Sequence, residues 1–490
     1  MKILLIQPPV EDFYATPMRT YPLGLACVAS GPLACGHDVV LYDAMAAGRK
    51  SVLAVPPRFE HLAEYYRPGD KSPYRLFGHY YHFGHSWEEI RARIRQEKPD
   101  LIGISSLFTP YHSMALRVAK IARECFPAVP VVMGGAHVTA CGEPTGVADH
   151  VIKGEGECAF TELTGGRVPD NPFRPAHGLL DPGLYRYQGK RMAFVLTSRG
   201  CPHTCTFCSV HASTPKFRLI QPAEVLTEIQ ELVLDYGVRH IDIEDDCFGY
   251  DAGHAGEILR GIFSLGVPGL SLSFMNGLCA DVLTPEKLSL LKQAGFSTLN
   301  LSLVSSNPAL NRRYCRPFNA ERFGQTVRDA AALGFAITAY AILGLPGDTV
   351  EGMLNTLDTL RCLPVRIGAS LFYPVPGTRV FRDCVDKGFI QPEDYDVFRL
   401  TAACVETPEF SRRDLMTLFY LCRILNLEKE RAAGNSDAGP RQALQEFFGE
   451  RKIFRYFKTG REAAPVSEKV LEGFFHRYHN QPSSALSAVL

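Results

Sequence analysis

The sequence lacks net charge, long apolar runs and a cysteine framework. Lys+Arg and Asp+Glu both number 52, so no overall basic field attracts nucleic acid over long range. No apolar run approaches the roughly 20 residues of a membrane-spanning helix, and "MKILLIQPPV" is too short for a signal peptide. Fifteen cysteines without regular spacing favour a reducing compartment. These absences predict a soluble, cytoplasmic protein with no membrane span and argue against a nucleic-acid partner.

Residues 1–165 alternate short apolar runs with helical patterns. The predicted strands are 2–7, 38–44, 100–106, 129–135 and 149–155. The predicted helices are 21–36, 86–98, 113–126 and 156–164, the second opened by a Ser86/Glu89 capping box. Because a helix separates most successive strands, the pattern predicts a parallel sheet with helices on both faces. We therefore expect an α/β class domain, doubly wound and flavodoxin-like (Rossmann-type), whose ligands bind at the carboxyl ends of its strands.

A second alternation covers residues 191–395. It follows a segment at 166–190 with four Pro and four Gly, which predicts a linker. The predicted strands are 193–199, 240–246, 270–276, 298–305, 336–344 and 366–375, and helices separate them. Six such units predict a partial (β/α)6 TIM-like barrel, open on one side. Strand signals end near 396, so residues 396–490 are expected to form a helical C-terminal domain.

Three cysteines, Cys201, Cys205 and Cys208, follow the first predicted barrel strand. This position is the C-terminal mouth, where barrel active sites lie. Thiolates select zinc or iron-sulfur clusters, and a structural zinc site needs a fourth ligand, for which His203 and His211 are candidates. Three ligands to a four-iron cluster would instead leave one iron open to a substrate or cofactor.

The CxxxCxφC pattern, with Phe207 as the aromatic residue, resembles the radical S-adenosylmethionine (SAM) superfamily. The resemblance covers about residues 191–385. It implies a [4Fe-4S] cluster on the three cysteines, SAM at the open iron, reductive cleavage to a 5'-deoxyadenosyl radical, and an electron donor such as flavodoxin or ferredoxin. The cysteine loop and matching strand-end motifs imply SAM contacts at Phe207, Asp245, Asp246, Asn276, Leu343, Gly344 and Tyr373. Ser302 and Arg316 are further polar candidates for SAM near the end of the fourth strand. The sequence departs from the family at Val304, where a glutamate is common.

The predicted strand ends of the first domain are rich in small and hydroxyl residues, which allow a bulky ligand to approach closely. On residue type alone, a nucleotide, a flavin or a corrin would fit. The domain order and the motifs "PDLIGISS", "VVMGGAHVT" and "VIKGEGE" resemble the cobalamin-binding radical SAM enzymes. That resemblance implies cobalamin contacts at Gln7, Pro8, Ser105, Ser106, Thr109, Gly134, Gly135, His137, Gly154, Glu155 and Gly156. The Asp-x-His-x-x-Gly motif that supplies a cobalt-ligating histidine is absent.

The resemblance implies a C-methyltransferase that uses the radical to abstract hydrogen and then transfers a methyl group from methylcobalamin to an unactivated carbon. Two alternatives stay open. One is a cyclase, oxidase or ring-rearranging enzyme without methyl transfer, like the anaerobic Mg-protoporphyrin ester cyclase; the other is a cobalamin-binding sensor or scaffold. The substrate class is a small or peptide-derived molecule. An aromatic insertion at 61–85 predicts a satellite hydrophobic cluster, or else a cover for the corrin or a substrate channel.

Overall fold

The computed structural model describes residues 1–14, 21–46, 48–69, 75–142, 146–168 and 173–432. The strands of its first part are β1 Lys2–Gln7, β2 Val10–Asp12, β3 Asp38–Asp43, β4 Lys50–Leu53, β5 Tyr80–Phe83, β6 Leu101–Ser105, β7 Val131–Gly134 and β8 His150–Ile152. The helices are α1 Leu23–Ala34, α2 Trp87–Glu97, α3 His112–Cys125, α4 Ala136–Cys141 and α5 Gly156–Leu163.

The main sheet of this domain has the order β3-β1-β6-β7-β8, and all its pairs are parallel. This is the flavodoxin-like order expected from the sequence. The capping box also forms, since Ser86 Oγ accepts from the Glu89 amide at 3.3 Å and Glu89 Oε2 accepts from the Ser86 amide at 2.8 Å. The parallel order brings the ends of β1, β6, β7 and β8 to one edge of the sheet.

The strands of the second part are β9 Arg186–Tyr187, β10 Lys190–Val195, β11 Ser198–Arg199, β12 Arg218–Leu219, β13 His240–Ile243, β14 Ser271–Ser273, β15 Thr298–Val304, β16 Ala336–Leu343 and β17 Arg366–Leu371. The helices are α6 Val210–Ser213, α7 Pro222–Leu234, α8 Ala252–Ser264, α9 Pro285–Ala294, α10 Pro308–Arg313, α11 Ala320–Ala332, α12 Val350–Arg361, α13 Arg379–Asp386 and α14 Arg412–Ala432.

Six parallel strands follow one another in this part of the chain. β10, β13 and β14 pair in one sheet, and β15, β16 and β17 pair in another. Parallel bridges from Leu272 to Phe296 and from Leu278 to Leu301 connect the two sheets. Helices separate these strands along the chain. Because the six strands are parallel, their carboxyl ends lie at the same end of the domain, which is its mouth.

The segment predicted as a linker is a packed connector. Its Tyr185 is fully buried and donates to Asp43 Oδ2 of the first domain at 2.8 Å. His177 lies 2.5 Å from the hydroxyl of Tyr21 and 2.9 Å from Glu228 Oε1 of α7. Buried polar contacts tie the described part of this segment to both domains; residues 169–172 lie outside the described part.

The aromatic insertion forms a hydrophobic cluster, which was the first interpretation. The ring of Phe13 meets those of Phe59, Tyr66 and Tyr80 edge-on, at centroid distances of 5.4, 5.0 and 5.0 Å. Tyr66 donates to the carbonyl of Thr401 at 2.5 Å, so the cluster packs beneath the segment that follows the second domain. Residues 70–74 lie outside the described residues.

The C-terminal helix α14 covers the last parallel strand, β17. Asn426 of this helix accepts from the Ile367 amide at 2.7 Å and donates to the Ile367 carbonyl at 2.8 Å, and so satisfies backbone groups of an edge strand. The sequence pattern at 466–479 predicts a further amphipathic helix, which lies outside the described residues. No helix within the described ranges has both the length and the hydrophobicity needed to cross a membrane.

Candidate active site between the two domains

A cavity of about 410 Å³ lies where the two domains meet. One wall comes from the strand ends of the first domain, including Gln7, Ser105, Gly134, Gly135, Gly154, Glu155 and Gly156. The other comes from the mouth of the second domain, including Leu196, Arg199, Ser213, Thr214, Glu244, Asp246 and Asn276. Ligands of both domains would therefore meet in one space.

Two glycines make the first wall possible. A Cβ on Gly135, whose φ is +117°, would lie 2.6 Å from the carbonyl oxygen of Ser106. A Cβ on Gly103 would lie 2.6 Å from Cδ2 of Leu5, which also lines the cavity. Any side chain at these positions would disturb the wall, so the close backbone approach suits a broad ligand against the sheet edge.

The same cavity extends as an apolar arm between the sheet and the helices α1 and α5. The arm is lined by Leu5, Val28, Val132, Ile152 and Phe160. At the rim, Leu107 is 49% exposed and Phe108 is 38% exposed. A glycine-lined edge, an apolar arm and exposed rim side chains together fit a large, flat, partly apolar ligand such as a corrin.

Three residues expected to contact cobalamin lie elsewhere. Ser106 Oγ is 2.8 Å from His112 Nδ1, and Thr109 Oγ1 is 3.2 Å from His137 Nδ1. The two histidine rings are 4.0 Å apart, and burial lowers the pKa of His137 to about 3. Ser106, Thr109 and His137 thus form a buried, neutral cluster behind the strand ends and do not line the large cavity. Pro8 lines a smaller neighbouring pocket with Ser105 and Ser106.

The three cysteines share one loop between β11 and α6. The Cys208 amide donates to the Cys205 carbonyl at 3.0 Å. A second segment supports the loop, since the Thr206 amide donates to the Tyr314 carbonyl at 3.1 Å. Burial raises the pKa of Cys208 to about 11 and also raises that of Cys205. Burial therefore disfavours the thiolate form of these two cysteines, whereas a hydrogen bond with Cys247 lowers the pKa of Cys201 to about 7.

Buried donors near this loop fit an anionic group. Arg316 Nε and His203 Nε2 are buried and have no hydrogen-bond partner among the described residues. Another nitrogen of Arg316 donates to the Ser302 carbonyl at 3.1 Å, which fixes the side chain. Within the described ranges no group of three or more His, Cys, Asp or Glu side chains, the three cysteines included, is placed to hold a metal ion. The unpartnered donors of Arg316 and His203 suit an anionic ligand beside the loop that carries the three cysteines.

Asp245, which follows β13, does not lie in the cavity wall as the sequence predicted. Asp245 is 2% exposed and accepts hydrogen bonds from the Thr197 amide at 2.6 Å, the Thr197 hydroxyl at 2.5 Å and the Ser198 hydroxyl at 2.6 Å. Its carboxylate holds the end of β10 in place and does not line the cavity. Glu244 and Asp246, the residues on either side of Asp245 in the chain, line it instead.

Asn276 joins this acidic pair in the cavity wall. Its amide nitrogen donates to the Glu244 carbonyl at 2.7 Å and to Glu244 Oε2 at 3.1 Å. The bonds orient both side chains at the mouth. Glu244, Asp246 and Asn276 thus present oxygens to a cationic or hydroxyl-rich ligand, as the amino and ribose groups of SAM require.

The remaining residues that were expected to contact SAM lie in different surroundings. Phe207 packs against the ring of Tyr314 at 5.8 Å, close to the cysteines. Leu343 is fully buried, and the amide of Gly344 donates to the sulfur of Met353. A Cβ on Gly344 would lie 2.9 Å from Leu415 of α14, so a protein side chain fills the space on that side of Gly344. Tyr373 is half-buried against the core.

An ion-pair network crosses from one domain to the other beside the cavity. Arg199 Nη1 lies 2.7 Å from Glu157 Oε1 and 3.5 Å from Glu155 Oε1. Arg218 also pairs with Glu155, and both guanidinium groups lie over the ring of Phe173, at 4.6 and 5.1 Å. Because Arg199 stands two residues before Cys201, this network anchors the cysteine loop to the first domain.

Two family models match the chain in the order that the site suggests. A B12 binding domain matches residues 79–164, and the Radical SAM superfamily matches residues 195–360. The chain is a cobalamin-dependent radical SAM enzyme. This enzyme is 25% identical over 476 residues to cytidylyl-2-hydroxyethylphosphonate methyltransferase of Streptomyces wedmorensis. The alignment covers 82% of this chain and 84% of the relative.

Two further similarities concern a second relative and a solved fold. The anaerobic magnesium-protoporphyrin IX monomethyl ester cyclase of Rubrivivax gelatinosus is 24% identical over 374 residues, covering 68% of this chain and 66% of the relative. The structure of the radical SAM methyltransferase TsrM from Kitasatospora setae, with cobalamin and a [4Fe-4S] cluster bound, aligns with a TM-score of 0.61 at 16% identity. The alignment covers 94% of this enzyme and 99% of TsrM. At that identity the two share a fold.

Sequence reasoning missed three residues of the site. Glu244 could have been found from the alternation at 240–246, which places it in phase with Asp242 and Asp246. Arg199 carried no signal, because its partners Glu155 and Glu157 belong to another domain. Tyr21, whose ring packs 5.3 Å from that of Phe194, lines the cavity, whereas the sequence pattern predicts only that a helix begins there.

Proposed function

We propose that this enzyme is a C-methyltransferase that transfers a methyl group to an unactivated carbon. The observation that carries the proposal is the cavity in which the strand ends of the B12-binding domain face the mouth of the radical SAM domain. Similarity to a relative named as a methyltransferase over 82% of this chain supports methyl transfer over other outcomes.

The proposed ligand arrangement follows from the donors present. Cys201, Cys205 and Cys208 would hold a [4Fe-4S] cluster. Glu244, Asp246 and Asn276 would hold the polar groups of SAM, and the spare donor of Arg316 would meet its carboxylate. Cobalamin would lie against the glycine-rich strand ends of the first domain. When bound, these groups supply a hydrogen-abstracting radical and a transferable methyl group.

The protein's own contribution is positioning and exclusion of water. The Asn276 amide holds the Glu244 carboxylate at 3.1 Å, so that this carboxylate is oriented before a ligand arrives. The apolar rim at Leu107 and Phe108 would shield the cavity once a ligand covers it. The Arg199–Glu157 pair would keep the cysteine loop aligned with the cobalamin wall.

We also infer the surrounding organisation. An open (β/α)6 barrel over 191–395 would carry the radical chemistry, after a cobalamin domain at 1–165 and the connector at 166–190. A helical domain at 396–490 would close the barrel. Fifteen cysteines, all free in their described positions, support a reducing compartment such as the cytoplasm.

A second candidate function keeps both cofactors and ends in ring closure or oxidation. The similarity to the cyclase of Rubrivivax gelatinosus favours it, over 68% of this chain. The two candidates consume SAM differently, because methyl transfer requires one molecule for the methyl group and another for the radical. Their by-products therefore separate them.

The test is anaerobic reconstitution with iron, sulfide and cobalamin, followed by quantification of 5'-deoxyadenosine, S-adenosylhomocysteine and product in the presence of candidate substrates. SAM with a deuterated methyl group identifies the transferred carbon. Equimolar by-products with a deuteromethylated product support the methyltransferase. Deoxyadenosine without S-adenosylhomocysteine favours the second candidate, and no cleavage under strong reduction favours a cobalamin sensor. Cys201→Ala, Cys205→Ala and Cys208→Ala serve as controls that should abolish cleavage and still bind cobalamin.

A further inference from the structure

A pocket of about 320 Å³ lies on the outer side of the cysteine loop. Its lining includes Thr206, Arg313, Tyr314, Arg379, Asp383 and Lys387. None of these residues lines the cavity between the domains. Thr206 directly follows Cys205, so the pocket adjoins the loop that carries the three cysteines.

The pocket is cationic in a chain whose net charge is zero. Three cations, Arg313, Arg379 and Lys387, stand against a single carboxylate, Asp383, and all four side chains are exposed. None of the three cations forms an ion pair with another residue in the described part of the chain. The residues Arg379, Asp383 and Lys387 recur every four positions, which places them on one face of α13 and its C-terminal cap. A local positive surface results.

Backbone contacts connect this surface to the cysteines. The Thr206 amide donates to the Tyr314 carbonyl at 3.1 Å, and Cys205 Sγ lies 3.8 Å from the carbonyl oxygen of Cys315. Cys315 itself is exposed. A partner seated at Arg313 would therefore be separated from the Cys205 sulfur by little more than the 313–316 segment.

We propose that this pocket is the docking surface for a small acidic one-electron carrier protein of the flavodoxin type. The inference rests on the proposed function, since reductive cleavage of SAM needs an external electron. In the step itself the carrier is oxidised by one electron and the cluster on Cys201, Cys205 and Cys208 is reduced by one; no atom is transferred. Opposite charges on the two surfaces steer such an encounter and make it sensitive to salt.

The test compares binding with turnover in a triple variant, Arg313→Glu, Arg379→Glu and Lys387→Glu. Its matched control is Arg95→Glu, Lys120→Glu and Arg260→Glu, which reverses three exposed charges on α2, α3 and α8. Titration calorimetry with oxidised flavodoxin measures affinity at low and high salt. 5'-Deoxyadenosine formation is measured with reduced flavodoxin, and separately with dithionite and methyl viologen.

The triple variant is expected to bind flavodoxin about tenfold more weakly or worse, to lose flavodoxin-driven cleavage and to keep the viologen-driven rate. The control variant should keep the wild-type flavodoxin affinity, the flavodoxin-driven cleavage and the viologen-driven cleavage. Unchanged flavodoxin affinity and flavodoxin-driven cleavage in the triple variant would overturn the proposal. If the triple variant fails to fold, Arg379→Gln with Lys387→Gln takes its place. If the wild type cleaves no SAM with viologen, the proposed function fails, while the comparison of affinities still decides the docking surface.

Discussion

Arg199 Nη1 lies 2.7 Å from Glu157 Oε1, and this pair joins the cysteine loop to the first turn of helix α5 in the B12-binding domain. Both side chains are nearly buried, at 13% and 5% exposure. A buried pair costs desolvation when it forms, so its value lies in fixing geometry more than in net stability. Here the fixed geometry is the position of Cys201 relative to the strand ends of the B12-binding domain.

Removing only one partner of this pair should be costly. Arg199→Gln leaves the Glu157 carboxylate buried without its cation, which we expect to cost about 3–5 kcal/mol of unfolding free energy. Glu157→Gln in the same chain should recover part of that loss. Urea unfolding of the two single variants and the double variant measures the coupling, and cobalamin titration by absorbance should show weaker binding in Arg199→Gln. Strictly additive losses would contradict the coupling.

Replacing the carboxylate by an amide should affect stability at Asp245 and SAM binding at Glu244. Asp245→Asn replaces a carboxylate that accepts three short hydrogen bonds from Thr197 and Ser198, and an amide cannot accept all three. We therefore expect the unfolding free energy to fall by about 1–3 kcal/mol. Glu244→Gln should leave stability nearly unchanged and weaken SAM binding, because Glu244 lines the cavity. Thermal unfolding and equilibrium dialysis with labelled SAM separate the two effects. Weaker SAM binding in Asp245→Asn at full stability would restore the role expected from the sequence.

The sequence predicted the strands and the loop more reliably than the contacts between domains. Apolar runs with a fixed period reflect burial within one domain, so β1 begins and ends where the run at 2–7 does. The cysteine spacing lies within one short stretch of the chain, so it can be recognised from the sequence alone. His137 shows the limit: its place after a strand end suggested a ligand contact. Whether its side chain turns to the cavity or behind it depends on Thr109, which lies between β6 and α3, and on His112, the first residue of α3.

The connector shows the same limit for composition. Prolines and glycines at 166–190 are compatible with a free linker and with a packed one. The deciding contacts are long-range, from Tyr185 to Asp43 and from His177 to Tyr21 and Glu228. No pattern within 25 residues encodes partners that lie more than 50 positions away, so the cavity between the domains could not be derived from the sequence.

Gly135 should tolerate alanine less well than Gly142, although both have positive φ. A Cβ on Gly135 would lie 2.6 Å from the backbone oxygen of Ser106, whereas a Cβ on Gly142 meets nothing within 4 Å. Gly142→Ala should therefore cost about 1–3 kcal/mol from backbone strain alone, and Gly135→Ala should cost more and weaken cobalamin binding. Urea unfolding and absorbance titration measure both. Equal effects of the two substitutions would show that the contact with Ser106 is unimportant.

Asp43 should make stability depend on pH. Burial raises its pKa to about 6 from an ordinary value of 3.8, even though Tyr185 and the Met45 amide donate to it. Between pH 4 and 6 the folded protein keeps this proton while the unfolded chain has lost it, so the contribution of Asp43 to stability falls as the pH rises through that window. The fall should total about 3 kcal/mol, at 1.36 kcal/mol per pKa unit.

Asp43→Asn isolates this contribution, because the amide carries no charge at any of these pH values. The unfolding free energy of the variant relative to the wild type should therefore increase from pH 4 to pH 7, and the increase should level off above pH 7. Asp348, whose pKa burial also raises to about 6, acts equally in both proteins and cancels in the difference. Urea midpoints at half-unit pH steps provide the measurement. A difference between variant and wild type that is constant from pH 4 to 7 would mean that Asp43 is ionised in the folded protein throughout, with the Tyr185 hydroxyl compensating for burial.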